Sequence, residues 1–201
     1  MKTPKDLMNY LVDVLNFPLC TVCELHKPCA IVPRCSLDTS KRFVNFDEVK
    51  TEFCKKHKME SCSSVDGLSA KNDSLLFVEI KGWADFLKYQ TQNAEQKVQK
   101  QVMGYDFVKK LQDSIGICND YTSDNDFCNR EKIAYLIVTD IDTKQHPLQA
   151  LQSNLMSLAQ TSSSIENLCN KFMLEKINKI HGINTYYKQC KELDSFIDSC
   201  F

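Results

Sequence analysis

The sequence predicts an α/β domain in which a mixed central sheet is flanked by helices and followed by a helical C-terminal addition. Three observations carry that expectation. Leu75 to Lys81 alternates with the period of a strand. Ile133 to Ile141 is a continuous apolar run of β-type residues, suited to a strand buried on both faces. Amphipathic stretches at helical spacing stand before, between and after the two. A chain of 201 residues is enough for one full core but not for two large domains. The expected organisation is an N-terminal helix and Cys-rich loop over 1–45, a core over 46–145, and a helical extension of the same domain over 146–201.

In chain order, Leu7, Met8, Leu11, Val14 and Leu15 recur at helical spacing, which predicts a short amphipathic helix over Asp6 to Leu15, closed by Asn16-Phe17-Pro18. After the Cys-rich loop, Phe46, Val49 and Phe53 mark one face of a second helix that ends in the basic run Lys55-Lys56-His57-Lys58. Ser63 to Leu68 and Leu75 to Lys81 read as two strands of a hairpin, joined by the turn-forming stretch Ser69 to Ser74. A helix follows from about Asn93 to Leu111, with Asn93 and Gln96 placed as a capping box, and Gly116 and the polar stretch Asn119 to Asn129 end it. Ile133 to Ile141 is the mid-sheet strand. From Pro147 onward the pattern predicts two or three helices, broken at Thr161 to Ser164 and at His181-Gly182.

Composition narrows the function. With 43% apolar and 25% charged residues, and only 5 Gly and 5 Pro, the chain is neither disordered nor fibrous. No apolar run approaches the roughly 20 residues of a membrane-spanning helix, and the polar start Met1 to Asp6 does not resemble an export signal. The 11 cysteines are odd in number, which fits a reducing cytoplasm better than a disulfide framework. A net charge of −1 excludes wrapping of nucleic acid by the whole surface, so any such contact is local.

The chemistry concentrates in the hairpin. Side chains alternate along Leu75 to Lys81, so Glu79 and Lys81 point the same way while Leu76, Val78 and Ile80 point into the core. Asp66, on the partner strand, is within reach of Glu79 across the turn. Two carboxylates and a backbone carbonyl, that of Ile80, form a hard oxygen donor set for Mg²⁺ or Mn²⁺, and Lys81 stands ready to stabilise negative charge on a phosphate.

Asp66 followed by Glu79-Ile80-Lys81 resembles the signature of the PD-(D/E)xK nuclease superfamily, with Val65 where that family frequently has proline. Gln101-Val102-Met103-Gly104-Tyr105 is similar to the QxxxY motif of its RecB-like and exonuclease-like branch, and Gln101 and Tyr105 stand one helical turn apart. The resemblance, spanning about Phe46 to Ile141, implies a restriction-endonuclease-like core and metal-dependent hydrolysis of phosphodiester bonds. DNA is the implied substrate, RNA the open alternative, and the implied role lies in repair or in defence against foreign nucleic acid. It also implies that Gln101 and Tyr105 contact substrate phosphate or steady the catalytic residues. A further acid is implied from the preceding helix, for which Glu48 and Glu52 are the candidates. A strand is implied before Asp66, either very short within Lys58 to Cys62 or supplied by Ala30 to Pro33.

A second constellation lies in the N-terminal loop. Cys20 and Cys23 have the CxxC spacing of two thiolates on one metal, and His26, Cys29 or Cys35 would complete four ligands for a zinc ion. Four thiolates from Cys20, Cys23, Cys29 and Cys35 would equally suit an iron–sulfur cluster, which some RecB-like nucleases carry. Lys55 to Lys58, Lys97, Lys100, Lys109 and Lys110 are candidates to flank a nucleic-acid groove. Trp83 reads as core more readily than as a base-stacking platform. The competing class is a non-catalytic interaction module with a nuclease-like fold, docking a protein partner or a second copy of itself through a zinc-bound Cys-rich loop.

Overall fold

The computed structural model describes residues 3–26, 39–83, 86–87, 93–143 and 162–201. Among the described residues six strands form one mixed sheet in sequence order: β1 (Leu19–Cys20), β2 (Phe43–Asn45), β3 (Gly67–Lys71), β4 (Ser74–Lys81), β5 (Lys132–Thr139) and β6 (Asn184–Gln189). The strands from β1 to β4 pair antiparallel, and β4, β5 and β6 run parallel. Parallel neighbours need crossovers, and the long helical segments before β5 and β6 supply them. Among the described residues no helix is long and apolar enough to cross a membrane.

The sheet is covered on both faces. One face receives α1 (Pro4–Asn9) with the π-helical turn Tyr10–Val14, α3 (Phe46–His57), α4 (Ala94–Met103), α5 (Phe107–Thr122), α6 (Phe127–Arg130) and α7 (Ser162–Ile177), around Leu75, Phe77, Tyr135 and Ile137. The other receives α2 (Val22–Leu25) and α8 (Leu193–Cys200), around Leu76, Val78, Ala134, Leu136 and Val138. Alternation along β4 therefore separates two cores. Glu79 and Lys81 lie on the side of the larger helical layer, not on an open face.

The strand over Ile133 to Ile141 is realised as β5, whose residues from Ala134 to Thr139 are all buried. The hairpin turn is tighter than expected: Lys71 pairs with Ser74, and Asn72 takes the left-handed conformation (φ 53°) that a two-residue turn demands. Ser63 to Asp66 is not a regular strand, because side chains of α5 take the backbone donors of Ser63 and Val65. The strand before Asp66 comes from Phe43–Asn45, ahead of α3. Lys58 to Cys62 holds none, and Ala30 to Pro33 lies outside the described residues.

The helix expected from Asn93 to Leu111 is two helices broken at Gly104-Tyr105-Asp106. Asn93 has a left-handed backbone and makes no side-chain cap, whereas Asp106 caps α5 by accepting from Lys109 N. Gly116 lies inside α5, where a β-carbon would meet nothing, so it ends no helix. The N-terminal helix is α only to Asn9 and then widens to a π turn.

The C-terminal region is not wholly helical. His181-Gly182 does break the chain (Gly182 φ 81°), but the segment after it becomes β6. Asn-Thr-Tyr-Tyr-Lys-Gln carries no apolar alternation because it is a half-buried edge strand, and its pairing with β5 is what places it. Lys71 donates to Ile197 O at 2.9 Å and pairs with Asp198 at 2.8 Å, tying α8 to the hairpin.

Candidate functional site

Asp66 is locked from both sides by its backbone. Its N–H donates to Val78 O at 2.9 Å, and its carbonyl accepts from Phe46 N at 3.0 Å. Its carboxylate Oδ2 accepts from Ile80 N at 2.6 Å, which turns the side chain toward the C-terminal end of β4. In a strand the N–H and C=O of one residue face the same neighbour. The Ile80 carbonyl therefore opens on the flank where Asp66 stands. Glu79, two pleat positions before Lys81, projects beside it and is wholly buried. Asp66, Glu79 and Lys81 thus share one corner of the sheet.

Two ammonium groups converge on one carboxylate oxygen. Lys81 Nζ donates to Glu79 Oε1, and Lys110 Nζ, from α5, donates to the same oxygen at 2.7 Å while standing 3.7 Å from Asp66 Oδ1. Glu79 Oε2 is buried with no hydrogen-bond partner among the described residues. Burial pushes the Glu79 carboxyl above its ordinary range and the Asp66 charge adds to that, against the pull of Lys81 and Lys110. For Lys110, burial acts to lower the ammonium, but the Glu79 and Asp66 carboxylates outweigh it and hold the group above its usual value.

The segment leading to Asp66 is clasped by helices. Asp113 accepts from Ser63 N at 2.9 Å, and Ser114 Oγ accepts from Val65 N at 3.0 Å while donating to Lys110 O at 2.7 Å. Asp47 Oδ1 accepts from Ser64 Oγ at 3.0 Å and from Lys50 Nζ at 2.6 Å. For Asp47, burial acts upward but is outweighed by the bonds from Lys50 and Ser64, so its carboxyl lies below the usual value.

Gln101 and Tyr105 meet as their spacing requires: Gln101 Nε2 donates to Tyr105 OH at 3.3 Å. The Tyr105 ring lies 4.8 Å from Lys81 Nζ, close enough for a cation–π contact that steadies the ammonium. Trp83 is fully buried and packs edge-on to Tyr105, which settles it as core. Beside this group, Phe86, Lys97, Lys100, Gln101, Gly104 and Tyr105 line an open cleft of about 380 Å³. A larger cleft, about 730 Å³, lies at the opposite end of β4 and β5, by Ser74 and Lys132, and is remote from the charged cluster.

Other expected residues are placed differently. Glu48 is exposed and accepts from Asn45 Nδ2 at 2.9 Å, and Glu52 pairs with Lys55 at 2.5 Å. The acid of α3 that binds the Asp66 segment is Asp47. Lys110, expected only as part of a groove, is a full member of the cluster. Its signal was its position: Phe107, Lys110, Leu111, Ser114, Ile117 and Cys118 fall on one helical stripe, a lysine on an otherwise uncharged face.

Cys20 ends β1 and Cys23 lies in α2, while Cys29 and Cys35 fall outside the described residues. Burial, then the Glu24 and Glu48 charges, push the Cys20 thiol up. The His26 ring packs against Gly82, where a β-carbon would lie 2.6 Å from its Nε2 and 3.3 Å from Asp140 Oδ2. Among the described residues no group of three or more His, Cys, Asp or Glu is arranged to hold a metal ion. At the Asp66–Glu79 corner the donors are two carboxylates and a main-chain carbonyl. That set is hard and suits a divalent cation such as Mg²⁺, and the buried Glu79 Oε2, without a partner among the described residues, is an oxygen with capacity to bind one. No family model, curated protein or solved structure matches this chain.

Proposed function

We propose that the chain is a Mg²⁺- or Mn²⁺-dependent phosphodiesterase acting on DNA, with a core of the PD-(D/E)xK nuclease type. The observation that carries this reading is the convergence of Asp66, Glu79 and Lys81 at the end of β4, with one Glu79 oxygen buried and without a partner among the described residues. Asp66, Glu79 and the Ile80 carbonyl would hold the ion. When bound, it supplies a Lewis acid for a phosphoryl oxygen and a water of lowered pKa. Lys81, braced over Tyr105, presents a fixed positive charge to the anion that builds on phosphorus. Gln101 and Tyr105 border the cleft in which Lys97 and Lys100 offer charge to a substrate backbone.

The test is cleavage of labelled linear and circular DNA, and of RNA, with Mg²⁺, Mn²⁺ or EDTA. Metal-dependent cutting that disappears in both Asp66→Ala and Lys81→Ala is the expected result. Loss of circular substrate as well as linear marks internal attack. A second reading, a binding module that keeps the fold without turnover, draws on the two ammoniums at Glu79, which balance the two carboxylates without any ion. A folded wild type that cuts neither polymer under any metal favours that module.

A further inference from the structure

We propose that Lys110 is a placeholder cation: its ammonium stands where an ion shared by Asp66 and Glu79 would stand, and a divalent ion enters by displacing it. The inference rests on the metal-dependent reading above and assigns the site its entry step. Lys110 Nζ lies between the two carboxylates, hydrogen-bonded to Glu79 Oε1 at 2.7 Å and ion-paired with Asp66 Oδ1 at 3.7 Å. That is the bridging position of a cation between two acids. Its backbone is fixed, since its carbonyl accepts from Ser114 Oγ in the middle of α5, but its side chain is 29% exposed and has a path outward. An ammonium on a four-carbon stem moves without disturbing the helix that carries it. Lys81 differs: it is 15% exposed and held over the Tyr105 ring, so it stays as the fixed charge of the site. A dication placed between the same two carboxylates repels an ammonium at contact distance, so the two occupants exclude each other.

The test is the affinity of the full chain for Mn²⁺ by titration calorimetry. Asp66→Asn serves as the control that locates the ion, and Lys109→Met removes a neighbouring exposed charge outside the cluster. Lys110→Met is expected to bind Mn²⁺ roughly tenfold or more tightly than wild type, with Lys110→Arg no tighter than wild type and Lys109→Met equal to it. Equal or weaker binding by Lys110→Met, while the wild type binds, overturns the placeholder and leaves the metal site standing. No binding by any folded form overturns both. The wild type gives a second readout that needs no substitution: in protein labelled at the lysine ε-carbon, the Lys110 resonance is expected to shift on saturation with Mg²⁺. An unchanged Lys110 resonance in protein that binds the ion refutes displacement.

Discussion

Removing both Lys81 and Lys110 should destabilise the fold by more than the two single losses combined, because they compensate the same buried charge. Glu79 is 0% exposed and both ammoniums reach its Oε1. After Lys81→Met or Lys110→Met the other lysine remains, so each single change should cost about 1 kcal/mol, the net worth of one hydrogen bond. In the double variant the carboxylate has no cation beside it and takes up a proton instead. Protonating a carboxyl of ordinary pKa near 4.3 at pH 7 costs about 3.7 kcal/mol, and that sets the ceiling of the penalty. The excess over additivity then reaches at most about 1.7 kcal/mol. The sign with pH follows from the direction of the shift. Burial first, and Asp66 second, raise the folded carboxyl above its unfolded value. Its contribution to stability is therefore complete below the unfolded pKa and is lost as pH rises through the folded one. At pH 5 the ceiling falls to about 1 kcal/mol and the excess should vanish. Urea unfolding of the four forms in EDTA, at pH 7 and pH 5, measures this. Additive losses at both pH values would refute the shared compensation.

Other expectations follow from the packing. Leu136→Ala, fully buried in β5, should cost about 2–5 kcal/mol of unfolding free energy in the same urea experiment. Asp106→Ala removes the acceptor for Lys109 N and should cost about 1 kcal/mol, read as a lower thermal midpoint. An unchanged midpoint would mean that packing of Phe107 alone starts the helix. Gly67→Ala places a β-carbon 2.7 Å from Leu25 Cδ1 and 3.1 Å from Phe43 Cβ, and should cost about 1–3 kcal/mol because Leu25 must turn away and β2 must yield.

Much of the site was legible because strand periodicity is local. The alternation of Leu75 to Lys81 is enough to put Glu79 and Lys81 on one side, and four-residue spacing is enough to pair Gln101 with Tyr105. The same reasoning erred where a local signal had two meanings. Glu48 and Glu52 are the more conspicuous acids of α3, yet they face Asn45 and Lys55, while Asp47 turns inward to Ser64 and Lys50. A polar hexapeptide became β6 because β5 left an edge for it, which no pattern within Asn184–Gln189 records. Gly104 reads as unremarkable in a helical run, but the chain turns there, so that α4 packs on α7 while α5 reaches Tyr135 and Glu79 of the sheet.

The sequence by itself determined the strand of the hairpin, the buried β5 and the shared face of Glu79 and Lys81, since each depends on residues a few positions apart. Only the tertiary structure decided that this face is buried under helices, and that Lys110 comes from thirty-one residues beyond Glu79 to bridge it and Asp66. The physical reason is that burial and pairing of charge are set by which helix is laid against which strand. That is fixed by the packing of the whole core, not by the period of any one segment.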